Sequence, residues 1–404
     1  MFVTRVTAAA AAFRARGVSG VSDVGGVVGA ARAVRPDESE RAVTLFLAGD
    51  VMTGRGIDQA LPYSVDPRLH ESYVKDARRY IELAESRSGP IPAPVRSEYV
   101  WGDALEELER VDPDARIINL ETSVTTSDDW WPTKGIHYRM HPGNVPVLTA
   151  AGIDACILAN NHVLDWGRAG LVETVETLTA AGIAIAGAGR NTETASSPAV
   201  LDTPGGRVRV HAWGLPSAGV PMSWAPEQDQ PGVAVLRELD AGALRQVAAS
   251  VAAARAPGDR AVVSLHWGGN WGYDVPSDQR RFAHELIDAG AADVVFGHSS
   301  HHPKGLEVYR DRLILYGAGD FLNDYEGIGG REAFRGDLTL MYFPVLAPSG
   351  ALRRLRMTPM RIRRFRLERA DEEEAAWLAR TLDRESRPFG ARVELSGDGR
   401  LELA

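Results

Sequence analysis

The chain has 404 residues, 45 lysines and arginines against 54 aspartates and glutamates, and one cysteine, Cys156. The formal charge of −9 argues against broad binding to nucleic acid or to anionic membranes. A single cysteine excludes both a disulfide framework and a thiolate zinc site, so any metal is held by His, Asp, Glu and Asn.

No run of about 18 apolar residues occurs, so no transmembrane helix is expected and the chain reads as cytoplasmic. Residues 1–42 read as a flexible extension. Their apolar run Thr7–Phe13 is cut off by Arg14 and Arg16, too soon for an export signal. Ordered structure is expected from Val43, where a β-rich apolar run ends in Gly49-Asp50. Residues 58–115 are charged, helical in pattern and broken by Pro90, Pro92 and Pro94, an insertion over one face. Further strands are expected at Arg116–Glu121, Ala155–Ala159, Ile183–Ala186 and Arg207–Trp213. The series continues with Ala261–Leu265, Asp293–Phe296, Leu313–Gly317, Leu338–Phe343 and Arg361–Leu367. Helices are expected around Leu171, Val175 and Leu178, and over Ala243–Ala254, Gln279–Ala289 and Glu372–Arg384. The alternation predicts a layered α/β domain over 43–345, followed by a strand and helix extension, 346–404, that packs on it.

Polar residues gather where the apolar runs end. Asp50, Glu121, Asn160-Asn161-His162, His266 and His298 each follow a short strand. In open α/β sheets the carboxyl ends of strands form the ligand crevice, so these side chains are expected on one rim. Gly297-His298-Ser-Ser-His301-His302-Pro303 places three histidines in five positions, a poor way to build a core and a good way to build a proton-transfer or metal site. His70, His137, His141, His211 and His284 are read as structural, and Cys156, inside a buried strand, as packing.

Gly49-Asp-Val-Met-Thr-Gly-Arg55, Asn119-Leu-Glu121, Ala159–Gly167, Leu265-His-Trp-Gly268 and Gly297–Pro303 fall in the order seen in the CapA family, which the chain resembles over about residues 43–345. These are capsule or poly-γ-glutamate biosynthesis proteins, similar in fold to the calcineurin-like metallophosphatases. The resemblance implies an α/β/β/α sandwich, two packed sheets flanked by helices. It also exposes departures. The Asp-x-His that opens the phosphatases is here Asp50-Val-Met52, and a thioether is a poor substitute for imidazole with hard or borderline metals. The closing Gly-His-x-His is altered in spacing, and Asn270 stands near a position often held by Glu.

The expected catalytic set is therefore Asp50, Glu121, Asn161, His162, His266, His298 and His301, working as acids and bases with no cofactor. The alternative is one divalent metal, Mn, Fe or Zn, held among Glu121, Asn161, His266 and His298. Trp130-Trp131, Trp166, Trp267, Trp271 and Tyr273 lie in the motif loops. Of these Trp131, Trp267 and Trp271, together with Arg55 and His302, are expected to bind substrate, and Lys134, Arg139 and Arg55 to take a carboxylate. The expected partner is a peptide, either a precursor peptide or a polyglutamate-like chain, with no nucleic acid and no membrane insertion. Three functions compete. The first is cofactor-independent epimerisation of a peptide Cα, as in CapA-like proteins that accompany lasso-type ribosomal peptides. The second is metal-dependent hydrolysis of a phosphoester or amide, and the third a binding role in polyglutamate or capsule synthesis.

Overall fold

The computed structural model describes residues 41–132 and 134–404, so nearly all of the 1–42 extension lies outside the described residues. Val43–Val51 is apolar almost throughout and buried almost end to end, as a strand covered on both faces must be. It pairs in parallel with Ala115–Leu120, in antiparallel with Leu338–Leu346, and at its tip in parallel with Asp320–Leu322. Around this centre runs a ten-stranded sheet. Ala155–Ile157 and Ala184–Ala186 extend it on one side, and Leu352–Arg363, Leu401–Leu403 and Val393–Leu395 on the other. Residues 346–404 thus enter the sheet by backbone pairing with Leu338–Leu346.

A second sheet has six strands, in the order Leu306–Tyr309, Arg312–Leu315, Val294–His298, Arg260–His266, Gly206–Gly214 and Ala199–Thr203. Its side chains alternate between two cores, as a strand period of two requires. Val262, Val294, Phe296, Leu313 and Leu315 join the core shared with the large sheet. Val263, Leu265, Val295 and Ile314 join Val247 and Val251 of the helix Ala241–Ala254, and Phe282 and Leu286 of Ser277–Asp288. The large sheet is backed by Arg78–Ser88, Ala104–Val111 and Gly167–Ala180, through Tyr80, Ala84, Leu108, Leu171 and Leu178. The result is the layered sandwich of two sheets flanked by helices.

One expected strand is corrected. Arg361–Leu367 is two strands, Leu352–Arg363 and Arg366–Arg369, with a turn at Arg364 and Phe365. Both turn residues have positive φ, 55° and 57°, the geometry that matches the twist of a two-residue hairpin. The strands Ala199–Thr203, Leu306–Tyr309 and Asp320–Leu322 escape the sequence pattern altogether.

The C-terminal strands are tied to the insertion by one buried carboxylate. Glu107 accepts bonds from both Nε (3.0 Å) and Nη2 (2.9 Å) of Arg400, from Arg369 (3.0 Å), from Arg110 (2.6 Å) and from the Thr358 hydroxyl (2.6 Å). Burial alone raises its pKa, but these donors outweigh it and hold the carboxyl well below the ordinary glutamate range. Truncating one partner of such a network strands the others in the interior. Glu107→Ala is therefore expected to destabilise the protein by about 3–5 kcal/mol in urea melts at pH 7. Because the folded value is depressed, this stabilisation is complete above the unfolded glutamate pKa of about 4 and is lost as pH falls further. The gap between parent and variant narrows in melts below about pH 4.

Candidate functional site

Both sheets run parallel at their centres, so their carboxyl ends open on the same rim. Asp50 stands in register with Asn119 on one side and Asp320 on the other. His266 stands opposite His298 in the second sheet. Two glycines allow the close approach. A Cβ on Gly49 would lie 1.9 Å from the Gly319 carbonyl oxygen, and one on Gly297 would lie 2.5 Å from Trp267 Nε1 and Tyr316 O. The Gly-Asp and Gly-His pairs of the sequence thus have a steric cause. Ser299, just past the second strand, sits at φ 102°, a strained value for a non-glycine residue. There its N–H donates to Asp50 Oδ2 at 3.2 Å.

Asp50 is wholly buried. Asn119 Nδ2 donates to its Oδ1 at 2.7 Å, and Asn119 is itself fixed by Asn160 Nδ2 at 3.1 Å. His298 Nδ1 lies 3.7 Å from Asp50 Oδ1 and 2.7 Å from His266 Nδ1. His266 Nε2 is 3.1 Å from Asn161 Oδ1, and His298 Nε2 is 2.6 Å from the Ser264 hydroxyl. One proton assignment satisfies the whole chain: Ser264 O–H donates to His298, His298 to His266, and His266 to Asn161. Both rings are then neutral. Burial enforces this, pushing His298 down to about 3 and His266 well below the usual imidazole range.

Asp50 shifts the other way. Burial first and the neighbouring Asp320 second push it up to about 7. Glu121 is pushed well above the carboxylate range by burial and by Asp50. Its Oε1 is 3.7 Å from His162 Nε2, while its buried Oε2 has no hydrogen-bond partner among the described residues. His162 is turned by Asp165, which takes its Nδ1 at 2.6 Å and also pairs with Lys134. Burial drives His162 down to about 4.

His301 faces Asp50 from the far side. Its Nδ1 is 2.8 Å from Asp320 Oδ1, its Nε2 is 2.9 Å from Asn270 Nδ2, and Asn323 Nδ2 donates to Asp320 Oδ2 at 2.9 Å. Burial pulls His301 down, but the Asp320 charge outweighs it and leaves the imidazole raised. Asp320 was missed in the sequence because its strand has only three residues. Gly319-Asp320 does repeat the Gly-Asp pattern of Gly49-Asp50.

The rim therefore joins Asp50, Asn161, His266, His298 and His301, with Glu121 and His162 beside them. Several expected substrate residues are placed otherwise. Arg55 is buried between Asp324, Glu71 and the Tyr80 hydroxyl, which saturate its guanidinium. Trp267 is 2% exposed, packs in the helix-side core and donates to Tyr316 O at 2.9 Å. His302 is buried and accepts from Gly272 N at 3.2 Å. Trp131 leans on Trp224, ring centres 5.5 Å apart. Lys134 is taken by Asp165, and Arg139 by Asp128 and the face of Trp166. Of the expected substrate residues, Trp271 stays at the site, its ring centre 5.2 Å from that of His301. The histidines read as structural have structural partners: His70 stacks on Trp130, His141 caps Gly143, and His284 bonds Glu307. Cys156 is buried, and burial pushes its thiol up.

A divalent cation fits this donor set. Asp50, His266 and His298 each offer a ligand atom, and these atoms lie within 4.8 Å of one another. The imidazoles are already neutral, as a ligand must be. A tautomer flip at His298, with Ser264 turning from donor to acceptor, keeps the Ser264 bond and exchanges the His298–His266 hydrogen bond for two Nδ1 lone pairs that a cation can share. The orphaned Oε2 of Glu121 is a further oxygen without a partner. Met52, in contrast, is buried with its Sδ accepting from the Tyr325 hydroxyl at 3.5 Å.

A family model described as bacterial capsule synthesis protein matches residues 44–325. The chain is 48% identical over 365 residues to a probable polyglutamine synthesis accessory protein of Mycobacterium tuberculosis, covering 89% of this chain and 96% of that one. It is 26% identical over 292 residues to the capsule biosynthesis protein CapA of Bacillus anthracis, covering 72% and 62% of the two chains. It is 28% identical over 207 residues to the PGA biosynthesis protein CapA of Bacillus subtilis, covering 51% and 52%. Among solved structures, a 5′-nucleotidase precursor from Thermus thermophilus aligns with a TM-score of 0.44 at 14% identity, over 86% of this chain and 59% of that one.

Calorimetric titration with Zn²⁺ or Mn²⁺ is expected to show one ion bound per chain, weakened at least about tenfold by His266→Ala or by His298→Ala. Asp50 must lose its proton to bind. With its pKa raised to about 7, affinity is expected to be flat above that pH and to fall about tenfold per unit below it. Unchanged affinity in both variants would put the ion elsewhere.

Proposed function

The chain belongs to the bacterial capsule synthesis protein family, and from that premise we propose that its rim hydrolyses an amide bond in a peptide-like chain, as a step accessory to polyglutamate or capsule synthesis. The convergence of Asp50, His266 and His298 carries this reading. A divalent cation bound there would supply Lewis-acid polarisation of the scissile carbonyl. The chain's own residues do the rest. His301, its basicity raised by the Asp320 charge, takes a proton from the attacking water. Glu121, protonated in its buried site, returns a proton to the departing nitrogen. Asn119 and the Ser299 N–H hold the Asp50 carboxyl in one orientation, and His162, fixed by Asp165, orders the Glu121 side. Water adds across the C–N bond, with one new carboxylate and one new amine as products.

A second reading, epimerisation of a peptide Cα, is favoured by the His301–Asp320 pair. It gives the rim another acid–base group beside Asp50, tuned upward where His266 and His298 are tuned down. Two such groups can remove a Cα proton and return one.

Both readings are tested by incubating the purified protein with α- and γ-linked glutamate oligomers in D₂O, followed by mass spectrometry. Hydrolysis predicts shortened chains, loss of turnover with chelator, and a drop of at least about 100-fold in Asp50→Asn. Deuterium at Cα without shortening, insensitive to chelator, selects epimerisation. Neither change in either oligomer overturns both.

A further inference from the structure

A groove of about 810 Å³ opens beside the rim, with His301, Asn270 and Trp271 at its inner end. That volume is in the range of a pocket for a drug-sized ligand or a short peptide segment. Its walls are rich in arginine, although the protein as a whole carries a charge of −9. Three of these arginines are engaged: Arg55 with Glu71 and Asp324, Arg335 with Asp337 and Glu374, Arg361 with Glu368 and Glu374. Three others, Arg87, Arg331 and Arg363, are exposed and have no carboxylate partner among the described residues.

They come from three separate segments. Arg87 is in the last turn of Arg78–Ser88, Arg331 in the loop before Glu332–Phe334, and Arg363 at the end of Leu352–Arg363. The groove's acids have other partners, and none of them lies within ion-pairing distance of these three guanidinium groups. Glu326 accepts from Ser88 Oγ and Phe365 N, and Glu332 from Gly330 N, while Asp337 and Glu374 hold the paired arginines. Arg331 also lies over the Trp271 ring, 5.5 Å from its centre, and Trp271 in turn contacts His301. An aromatic and a guanidinium thus lead from the reacting rim outward.

We infer that this groove seats a chain bearing repeated carboxylates, with Arg87, Arg331 and Arg363 gripping successive acidic side chains while the backbone of the same chain reaches the rim at His301. The planar guanidinium fork matches a carboxylate in two parallel bonds, and three such forks in one groove suit an acidic peptide better than a single small anion. The inference rests on the proposed reading of the rim for its direction only. The grip on the acidic chain is a binding property and is measured without turnover.

The test is fluorescence anisotropy of a labelled glutamate hexamer with metal-stripped protein at low salt. The single variants Arg87→Gln, Arg331→Gln and Arg363→Gln are expected to weaken binding about twofold to fivefold each, as half-exposed ion pairs do. The triple variant loses at least about tenfold, with its melting temperature unchanged. Added salt weakens the parent more than the triple variant, and a serine–glycine hexamer does not bind. Equal affinity of parent and triple variant overturns the inference, as does equal binding of the neutral hexamer. Binding of inorganic pyrophosphate in preference to the hexamer also overturns it, since the arginines would then read phosphate. If the hexamer binds through the arginines but is never cleaved or epimerised, the groove stands and the proposed chemistry falls.

Discussion

Asp50 is buried to the last atom, yet no lysine or arginine lies within ion-pairing distance of it among the described residues. A bare carboxylate in such a place is costly, and a protein resolves the cost by protonating it, pairing it or giving it a metal. Here the neighbours leave the protonated and ionised forms close in energy near neutral pH. Asn119 and the Ser299 N–H favour the charged form, while burial and Asp320 oppose it. The surrounding structure follows from that balance. Ser299 is held in a strained conformation to deliver one N–H, and Gly49 gives up a side chain so that the two backbones can close around the acid.

The contrast with Arg55 shows that the fold can neutralise a buried charge when function does not need it free. Arg55 sits five residues after Asp50, equally sequestered, but Asp324, Glu71 and Tyr80 take up its donors. It locks the insertion and the 320–325 segment to the first strand, and so sets the position of Asp320 and Asn323. The same division appears among the histidines. His162 has a carboxylate at each nitrogen, whereas His266 and His298 lean on each other and on neutral oxygens. The unpaired members of these sets lie around Asp50.

Much of this was legible in the sequence, for a physical reason. Short apolar runs that end in Gly-Asp, Asn-Asn-His, His-Trp or Gly-His can hardly be anything but buried strands with a polar lip, and parallel pairing brings those lips together. Asp320 was not legible, because a three-residue strand leaves no periodic trace and Gly317-Ala-Gly319-Asp320 reads as a turn. Arg55 was misread because its partners lie 16 and 269 residues away. Trp267 looked like a rim residue because it follows His266, but it continues the strand's alternation and turns to the helix side, into the core with Leu265. The hairpin at Arg364-Phe365 was hidden since neither residue is a glycine or asparagine.

The rim is asymmetric, and its two halves suit different tasks. On one side His266 and His298 have depressed basicity and can turn lone pairs toward Asp50, which suits a cation. On the other, both nitrogens of His301 are engaged, by Asp320 and Asn270, so neither is free to hold a cation. The residue that would complete a second ligand set near Asp50 is Met52, whose sulfur faces a tyrosine hydroxyl. A thioether adds no charge and binds hard cations weakly, so on the proposed reading the site takes one cation and the His301 half handles protons. The groove opens on that second half, with His301 in its wall. On the proposed reading, a chain in that groove reaches His301 before Asp50, which is buried and does not line the groove.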